Sequence, residues 1–243
     1  MFEWMIIAFL GACIGSFLNV VIYRVPMGLS VVTPRSHCPT CGKNLSWYHN
    51  IPLVSWLVLK GRSGCCKEKI SIQYPLVEFL CMVIFLLAFY KNGINYGSLI
   101  IALVFTLFLT LSVMDYYYHA IFDSVSLSAL ALALFSGDIL ISFESAFIVA
   151  GAMTLLRFYV SYFLKKEAMG EGDIILTAAM GALVGVKLAL FSVFAAAFIA
   201  LPFAYFAKGE EKVVPFVPFL AISIFIVYMF EGIVSDYLIY IYP

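Results

Sequence analysis

Charged side chains are scarce in this sequence: 12% of its 243 residues are Asp, Glu, Lys or Arg, whereas 64% are hydrophobic. A soluble domain carries about 25% charged residues, so this chain has too few to cover a water-exposed surface. We therefore expect lipid to be the solvent for most of it. The formal net charge is zero, which gives no basis for a nucleic-acid partner.

Two further features are missing. No basic residue precedes the first apolar run, which starts after Glu3. A secretory signal needs a basic start and a small-residue cleavage site, so this run is predicted to be a retained first span. No glycine-rich Rossmann loop occurs either, so a soluble-type site for a nucleotide-like donor is not indicated.

The apolar runs predict an all-α, polytopic membrane protein with about eight transmembrane helices. The predicted spans are Glu3–Tyr23, Pro75–Tyr90, Gly97–Met114, Val125–Phe143, Ala146–Leu164, Asp173–Val186, Leu188–Phe206 and Pro218–Tyr240. The sixth is short, and a tight turn can join it to the seventh. The predicted domains are the first helix, 1–23, a small cytoplasmic subdomain with cysteines, 24–74, and a transmembrane domain, 75–243.

Lys and Arg are distributed unevenly among the predicted loops. With the N-terminus outside, the loops 24–74, 115–124, 165–172 and 207–217 face the cytoplasm under the positive-inside rule. They hold eleven cations: Arg24, Arg35, Lys43, Lys60, Arg62, Lys67, Lys69, Lys165, Lys166, Lys208 and Lys212. The opposite side holds two, Lys91 and Lys187. Arg157 lies within the fifth predicted span, where we expect it to pair with an acid or to extend to the interface.

Two aspartates stand at the cytoplasmic ends of predicted spans. Asp115 ends the third span, and Asp173 begins the sixth, directly after Gly170-Glu171-Gly172. An acid at a helix start is often an N-cap or a dipole partner, and for Asp173 alone that interpretation is as good as a functional one. Ionisable groups at membrane depth are costly and tend to be functional. Asp123 and Glu78 are further acids near span ends.

Asp115 and Asp173 predict a specific chemistry if the fold brings them together. Neighbouring carboxylates repel each other, so such a pair can hold a single proton. In aspartic proteases one carboxylate then activates water, while the other, protonated, polarises the peptide carbonyl. Gly170 and Gly172 would allow the close backbone approach that an extended peptide substrate needs.

Four of the six cysteines lie in the polar segment. Cys38-Pro-Thr-Cys41 is a CxxC motif, a common half of a zinc site, and Cys65-Cys66 is the candidate second half. Structural zinc is the leading interpretation, with His37 as an alternative ligand. Four reduced cysteines with a redox pair at Cys38 and Cys41 are the other possibility, and disulfides are not expected on the cytoplasmic side.

Several segments form an ordered series over nearly the whole chain: Gly15–Arg24, Pro34–Cys41, Trp47–Trp56, Ile70–Glu78, Gly170–Asp173 and Pro215–Ala221. This series resembles the bacterial type IV prepilin peptidases, bifunctional leader peptidases and N-methyltransferases of the GxGD class of membrane aspartyl proteases. By this resemblance, Asp115 and Asp173 match the two catalytic aspartates. Gly170, Gly172, Asp123 and Glu78 would support the site, and Cys38, Cys41, Cys65 and Cys66 would hold zinc.

The resemblance implies that prepilins or pseudopilins of type IV pili or type II secretion are the substrates. Cleavage would fall after a glycine at the cytoplasmic face of a bacterial inner membrane. The new N-terminal residue, usually phenylalanine, would then be methylated with S-adenosylmethionine as donor. The full-length polar segment implies that both activities are present, with membrane lipid and the prepilin as the partners and no nucleic acid.

The sequence departs from the family pattern at three places. The family often has a second CxxC, and in that register Ser63 replaces its first cysteine while Cys65 is displaced by two. This departure bears on the metal site and on the methyltransferase part. Phe122 stands where the family commonly has proline, and Ile175 where it often has lysine, but neither touches the matched aspartates.

Two other functions stay open at this point. A peptidase with impaired or absent methyl transfer would follow from a defective cysteine site. An ion-coupled transporter or a membrane scaffold belongs to a different class, because acids within a membrane also carry protons or ions. The sequence shows no inverted repeat that would favour transport. Which aspartate is the base is arbitrary from sequence, and Asp115 is assigned provisionally.

Overall fold

The computed structural model describes residues 1–38, 40–165, 170–206 and 214–241. Pro39 and three of the predicted cytoplasmic cations, Lys166, Lys208 and Lys212, lie outside the described residues. The chain divides into two compact units, Met1–Gly93 and Ile94–Pro243. The domain boundaries predicted after residues 23 and 74 stay predictions.

The described chain contains helices and no strands, apart from two isolated bridges near the cysteines. The helices are α1 (Phe2–Arg24), α2 (Val54–Val58), α3 (Gln73–Asn92), α4 (Tyr96–Tyr118), α5 (Asp123–Ala133), α6 (Ile139–Leu164), α7 (Glu171–Val184), α8 (Val186–Phe206), α9 (Val217–Met229) and α10 (Glu231–Ile241). The predicted all-α class is confirmed.

Among the described residues, five helices are long and apolar enough to cross a membrane: α1, α3, α4, α6 and α8. In the described part of the chain a sixth span is counted only if α9 and α10, bent by 87°, are taken as one. The multi-pass character is therefore confirmed, but the number of eight spans is not. Helices α5 and α7 have 11 and 14 residues, about 17 and 21 Å at 1.5 Å per residue, which is shorter than a hydrocarbon core of about 30 Å.

The predicted fourth span, Val125–Phe143, is interrupted after Ala133. A turn follows, and at its end the Asp138 carboxylate accepts the N–H groups of Leu140 and Ile141 at 2.9 and 3.3 Å. This N-cap starts α6, so the second half of the predicted span is continuous with the predicted fifth. Hydropathy missed the break because only Ser136-Gly137-Asp138 separates two apolar runs.

The expected tight turn between the sixth and seventh predicted spans is present. Gly185 separates α7 from α8 and has a φ of 81°, in the region that glycine adopts without steric cost. The predicted last span, Pro218–Tyr240, is bent between α9 and α10, where Phe230 stands before Glu231.

In the first unit, α1 packs closely on α3 through two glycines. A Cβ on Gly15 would lie 2.7 Å from the Glu78 Cα, and one on Gly11 would lie 2.9 Å from the Cys81 carbonyl oxygen. Glycines four residues apart share one helix face, and in membranes such small residues let two backbones approach. Cys81 is fully buried in this contact, whereas Cys13 is partly exposed, and both are free thiols.

In the second unit, α4 is the most deeply buried span. It packs on α5 and α9, while α7 packs on α5, α6 and α8. Buried hydroxyl groups donate hydrogen bonds to carbonyls of their own helix, as Ser112 does to the Phe108 carbonyl at 2.7 Å. Ser223 of α9 instead donates to the Ser192 carbonyl of α8 at 2.7 Å and so joins these two helices.

Large apolar side chains cover the outside of the second unit. Phe147, Leu155, Phe158, Phe194 and Phe198 are each between 67% and 72% exposed. Water would disfavour so much contiguous apolar surface. Lipid tails solvate these side chains at no such cost, in agreement with the expectation from composition.

Candidate active site and metal centre

Asp115 lies near the C-terminal end of α4 and is 8% exposed. Its Oδ2 accepts the backbone N–H of Val217 at 3.0 Å, and the Phe216 N–H also bonds to this carboxylate. Val217 is the first residue of α9, so Asp115 lies at the positive end of that helix dipole. The late motif Pro215–Ala221 thus contains the hydrogen-bond donors to Asp115, a partnership that has no signal in the sequence.

Asp173 is the third residue of α7, and its Oδ2 accepts the Gly170 N–H at 3.2 Å. Gly170 and not Asp173 is the N-cap of α7, and this bond runs from the N-cap N–H to the acid three residues later. Asp173 therefore has a structural role in the first turn of the helix, where an acid also favours the helix dipole. The carboxylate is also close enough to Asp115 for the two groups to repel each other electrostatically. The fold therefore brings together the two acids that the sequence singled out.

The two glycines of the Gly170–Asp173 segment differ in what they permit. A Cβ on Gly172 would lie 2.5 Å from the Ile121 Cβ, which is far inside van der Waals contact. A Cβ on Gly170 would meet only the Asp173 Oδ2, at 3.6 Å. Gly172 is therefore required for the loop before α5 to approach α7, while Gly170 contributes its N–H.

The loop between α4 and α5 carries two other titratable residues. His119 is exposed and interacts electrostatically with Asp115. Asp123 is exposed at the first position of α5, and its supporting role stays a prediction. Near the other aspartate, Arg157 of α6 pairs with Glu171 of α7 at 3.3 Å, which confirms the expectation that Arg157 pairs with an acid.

Glu78 belongs to the first unit, where it is buried in α3. Its Oε2 accepts the Leu53 N–H at 2.7 Å, and Ser16 donates a further hydrogen bond to it. Leu53 has a φ of 60°, which is strained for a residue with a branched side chain. Glu78 thus holds the start of α2 against α1 and α3, and a supporting role for it in catalysis stays a prediction.

Two polar residues of α1, which the sequence reasoning did not single out as site residues, also hold this unit together. Asn19 donates to the Tyr74 carbonyl at 3.0 Å. The buried Arg24 guanidinium donates to the carbonyls of Ser30 and Pro34 at 2.9 and 2.8 Å. Both side chains donate to backbone oxygens, and the residue type alone does not reveal such partners.

The four cysteines of the polar segment converge. Their Sγ atoms all lie within 4.8 Å of one another, with Cys41 to Cys65 at 3.3 Å and Cys38 to Cys66 at 3.6 Å. Four sulfurs on a tetrahedron around zinc, at about 2.3 Å from the metal, would be about 3.8 Å apart. The donor set and its spacing therefore fit a Cys₄ zinc site, and all four thiols are free.

Each cysteine pair lies on a turn of the same design. In the first, the Cys38 N–H donates to the Lys43 carbonyl and the Gly42 N–H donates to the Cys38 carbonyl. In the second, the Ser63 N–H donates to the backbone carbonyl of Glu68 and the Lys67 N–H donates to the Ser63 carbonyl.

Ser63 therefore occupies the backbone position that Cys38 has in the first turn, as the family register implied. Cys65 supplies the missing thiol from within the turn. The Ser63 hydroxyl lies 3.1 Å from the Cys66 Sγ and 3.7 Å from the Cys65 Sγ, so it borders the cluster directly. The displaced cysteine does not break the four-thiol arrangement.

Backbone N–H groups in the first turn favour a thiolate. The N–H groups of Cys41 and Thr40 lower the pKa of Cys38 to about 6. The pKa of Cys65 is lowered as well, chiefly because Cys41 donates its S–H to that sulfur. Thiolates are the form that binds metal, so Cys38 and Cys65 are the ligands most readily ionised. The Lys43 N–H lowers the pKa of Cys41, but the hydrogen bond to Cys65 and burial together raise it to about 11. His37 does not join the cluster, since its Nδ1 lies 3.2 Å from the Arg35 carbonyl oxygen.

Two family profiles match this chain. Residues 9–92 match the bacterial peptidase A24 N-terminal domain, and residues 100–205 match the type IV leader peptidase family. The first region contains all four clustered cysteines and Glu78, and the second contains Asp115 and Asp173. No solved structure shows a significant match.

Curated relatives match over most of the chain. A "Type 4 prepilin-like proteins leader peptide-processing enzyme" of Escherichia coli is 34% identical, and the match covers 88% of each chain. A "Prepilin leader peptidase/N-methyltransferase" of Xanthomonas campestris is 30% identical over 94% of this chain and 92% of its own. A protein of the same name from Myxococcus xanthus is 40% identical over 71% of this chain, a match that spans 53% of its own length.

The two profiles agree with the geometry, since their ranges include the cysteine cluster and the aspartate pair. We conclude that this chain belongs to the type IV leader peptidase family.

Proposed function

We propose that this protein cleaves the short basic leader from prepilins or pseudopilins after a glycine, and then methylates the new N-terminal residue. The observation that carries the proposal is that Asp115 and Asp173 lie within electrostatic range of each other, each held by a backbone N–H at a helix start. The relatives are named for both reactions, and these names favour neither the transporter nor the peptidase-only alternative.

The aspartate pair supplies the chemistry of leader cleavage. Two carboxylates that repel each other share one proton, so one of them is ionised and the other is neutral. The ionised carboxylate takes a proton from water, which attacks the peptide carbonyl, and the neutral one donates a hydrogen bond to the carbonyl oxygen. We assign Asp115 as the base, because two backbone N–H groups stabilise its ionised form while Asp173 accepts one.

Substitution of either aspartate tests this mechanism. We expect Asp115→Asn and Asp173→Asn each to reduce leader removal by roughly 10³-fold or more, as loss of a catalytic group does. The Asn side chain keeps an oxygen for the Val217 or Gly170 N–H, so the fold should persist. Cleavage of a purified prepilin in proteoliposomes is measured by the mass of the mature pilin.

Asp138→Asn is the matched control, since Asp138 caps α6 in the same unit and its amide keeps an acceptor. This variant should cleave normally. Normal cleavage by either of the other two variants would contradict the proposed pair.

A structural zinc ion held by Cys38, Cys41, Cys65 and Cys66 is part of the proposal. When bound, zinc would join the two turns of a segment that has little apolar core of its own. The support is that the four sulfurs lie within 4.8 Å of one another and that the pKa of Cys38 is lowered to about 6.

Methyl transfer is the second proposed activity, and S-adenosylmethionine is its proposed methyl donor. The intact cysteine cluster and the match to the N-terminal domain over residues 9–92 support it. The mature pilin should be heavier by one methyl group at its N-terminal residue when the donor is supplied. Unmethylated mature pilin in the presence of the donor would instead support the peptidase-only alternative.

The proposed location is the bacterial inner membrane, with the aspartate pair on the cytoplasmic side. The excess of Lys and Arg in the predicted loops 24–74, 165–172 and 207–217 supports this orientation. A prepilin and the surrounding lipid are the proposed partners.

A further inference from the structure

An exposed apolar surface in the first unit is not used by either proposed reaction. Helix α2 and the start of α3 form a shallow groove lined by Leu53, Trp56, Leu57, Ile72, Leu76 and Phe79. The outermost side chains are highly exposed: Leu57 by 67%, Ile72 by 71% and, beside the groove, Val58 by 73%. We call this surface the α2 face.

The position of the α2 face along α3 indicates its depth in a membrane. Helix α3 has 20 residues, which span about 30 Å, the thickness of a hydrocarbon core. Trp4 and Tyr90 lie together at the C-terminal end of α3, as aromatic residues do at a membrane interface. The N-terminal end, with Leu76 and Phe79, then lies at the opposite interface.

The α2 face is therefore continuous with the lipid-facing surface of a membrane span. Leu76 and Phe79 are exposed on the first two turns of α3. Leu57 and Ile72 line the same groove from outside that helix. Since α2 is apolar and has five residues, it is too short to span a membrane but well suited to lie in its interface.

Exposed basic residues follow α2 immediately. Lys60, Arg62, Lys67 and Lys69 are exposed, and Glu68 is the one acid between them. Four cations against one acid attract anionic headgroups at a membrane surface. They would repel a basic peptide, which argues against a prepilin leader as the occupant of this surface.

We propose that the α2 face is a membrane-docking surface: Leu57, Val58 and Ile72 insert into the headgroup–acyl boundary, and the basic residues after α2 bind anionic lipid headgroups. This docking fixes the cysteine-containing segment on the membrane surface. Apolar insertion combined with basic flanks is the usual physical basis of interfacial binding.

Site-specific fluorescence in proteoliposomes tests the proposal. The background variant carries Trp4→Phe, Trp47→Phe and Trp56→Phe, and Leu57→Trp or Val58→Trp is the single reporter. Both reporters replace exposed side chains, so folding is not at risk. Lys43→Trp, exposed near the cysteines, is the matched control.

We expect lipids brominated near the acyl carbonyl to quench both α2 reporters severalfold more strongly than the control. In neutral phosphatidylcholine vesicles, or after Lys67→Gln with Lys69→Gln, this quenching should fall relative to vesicles that contain phosphatidylglycerol. Reporters that are quenched by aqueous iodide and not by brominated lipid would overturn the proposal. So would reporters that become shielded only when a prepilin is added, because that result would make the face a substrate-binding surface.

Discussion

Replacing Gly172 tests whether the close contact between α7 and the loop before α5 requires a glycine. In Gly172→Ala the new methyl group would overlap the Ile121 side chain at 2.5 Å. The loop before α5 must then move, and we expect a stability loss of roughly 1–3 kcal/mol, as for overpacking. Prepilin cleavage and thermal unfolding in detergent measure both consequences.

Gly170→Ala is the control, because its methyl group would meet only the Asp173 Oδ2 at 3.6 Å, and it should retain most activity. Adding Ile121→Gly to Gly172→Ala should restore activity, because only glycine at position 121 removes the Cβ that lies 2.5 Å from the new methyl group. If the double variant is as inactive as Gly172→Ala alone, steric overlap with Ile121 is not the reason for this glycine.

At this scale, sequence and structure contribute different information. Asp115 and Asp173 were predicted because acids are conspicuous in an apolar chain and both flank spans on the same side. Their partners were not predicted, since the Val217 and Gly170 donors are backbone N–H groups that every residue except proline carries. The pairing of Glu78 with Leu53 was missed for the same reason.

The close contact of α1 with α3 leaves no room for a side chain at Gly15. A methyl group there would lie 2.7 Å from the Glu78 Cα, and backbone cannot move aside as a side chain can. We expect Gly15→Ala to lower the unfolding free energy by roughly 1–3 kcal/mol, measured by thermal unfolding in detergent.

Gly151→Ala on α6 provides the comparison, since nothing lies within 4 Å of its added methyl group. That variant should be neutral or slightly stabilised, because alanine favours a helix interior over glycine. Equal effects of the two substitutions would show that the α1–α3 contact does not require glycine at position 15.

Sequence patterns predicted helices well where apolar runs were long and isolated, as in α1 and α3. The structure does not confirm the eight spans that these patterns predicted, because hydropathy measures how apolar a run is and not where the helix breaks. The Asp138 cap and Gly185 interrupt apolar stretches by local backbone chemistry. The start of α6 is signalled in the sequence by the N-cap residue Asp138, which hydropathy does not register.

For the whole molecule, the zinc content of the purified protein tests whether the cysteine cluster is a metal site. We expect the purified protein to hold about one zinc per chain, as a four-thiolate site does, and Cys38→Ser to lose most of it. Cys13→Ser, which changes a cysteine outside the cluster, should keep its zinc. Protons compete with metal for thiolates, so bound zinc should decline as the pH is lowered.

Elemental analysis after dialysis at each pH measures the amount of zinc that stays bound. A protein that is free of zinc after growth and purification with ample metal would exclude the structural zinc site. Equal zinc in Cys38→Ser and in the unsubstituted protein would also do so. The sequence alone left this site in doubt because Ser63 stands in the expected cysteine position, and only the fold shows that Cys65 reaches the same cluster.

The backbone hydrogen bonds at the two aspartates have a consequence for how this enzyme tolerates mutation. The donors at Val217 and Gly170 are independent of the side chain, so the carboxylates stay held through nearly any point substitution that preserves the local turn. Proline is the exception, since it has no N–H. Gly170, whose added methyl group would meet only the Asp173 Oδ2, is therefore open to genetic drift, whereas Val217, which is 1% exposed, is constrained by the packing of its side chain and not by its hydrogen bond.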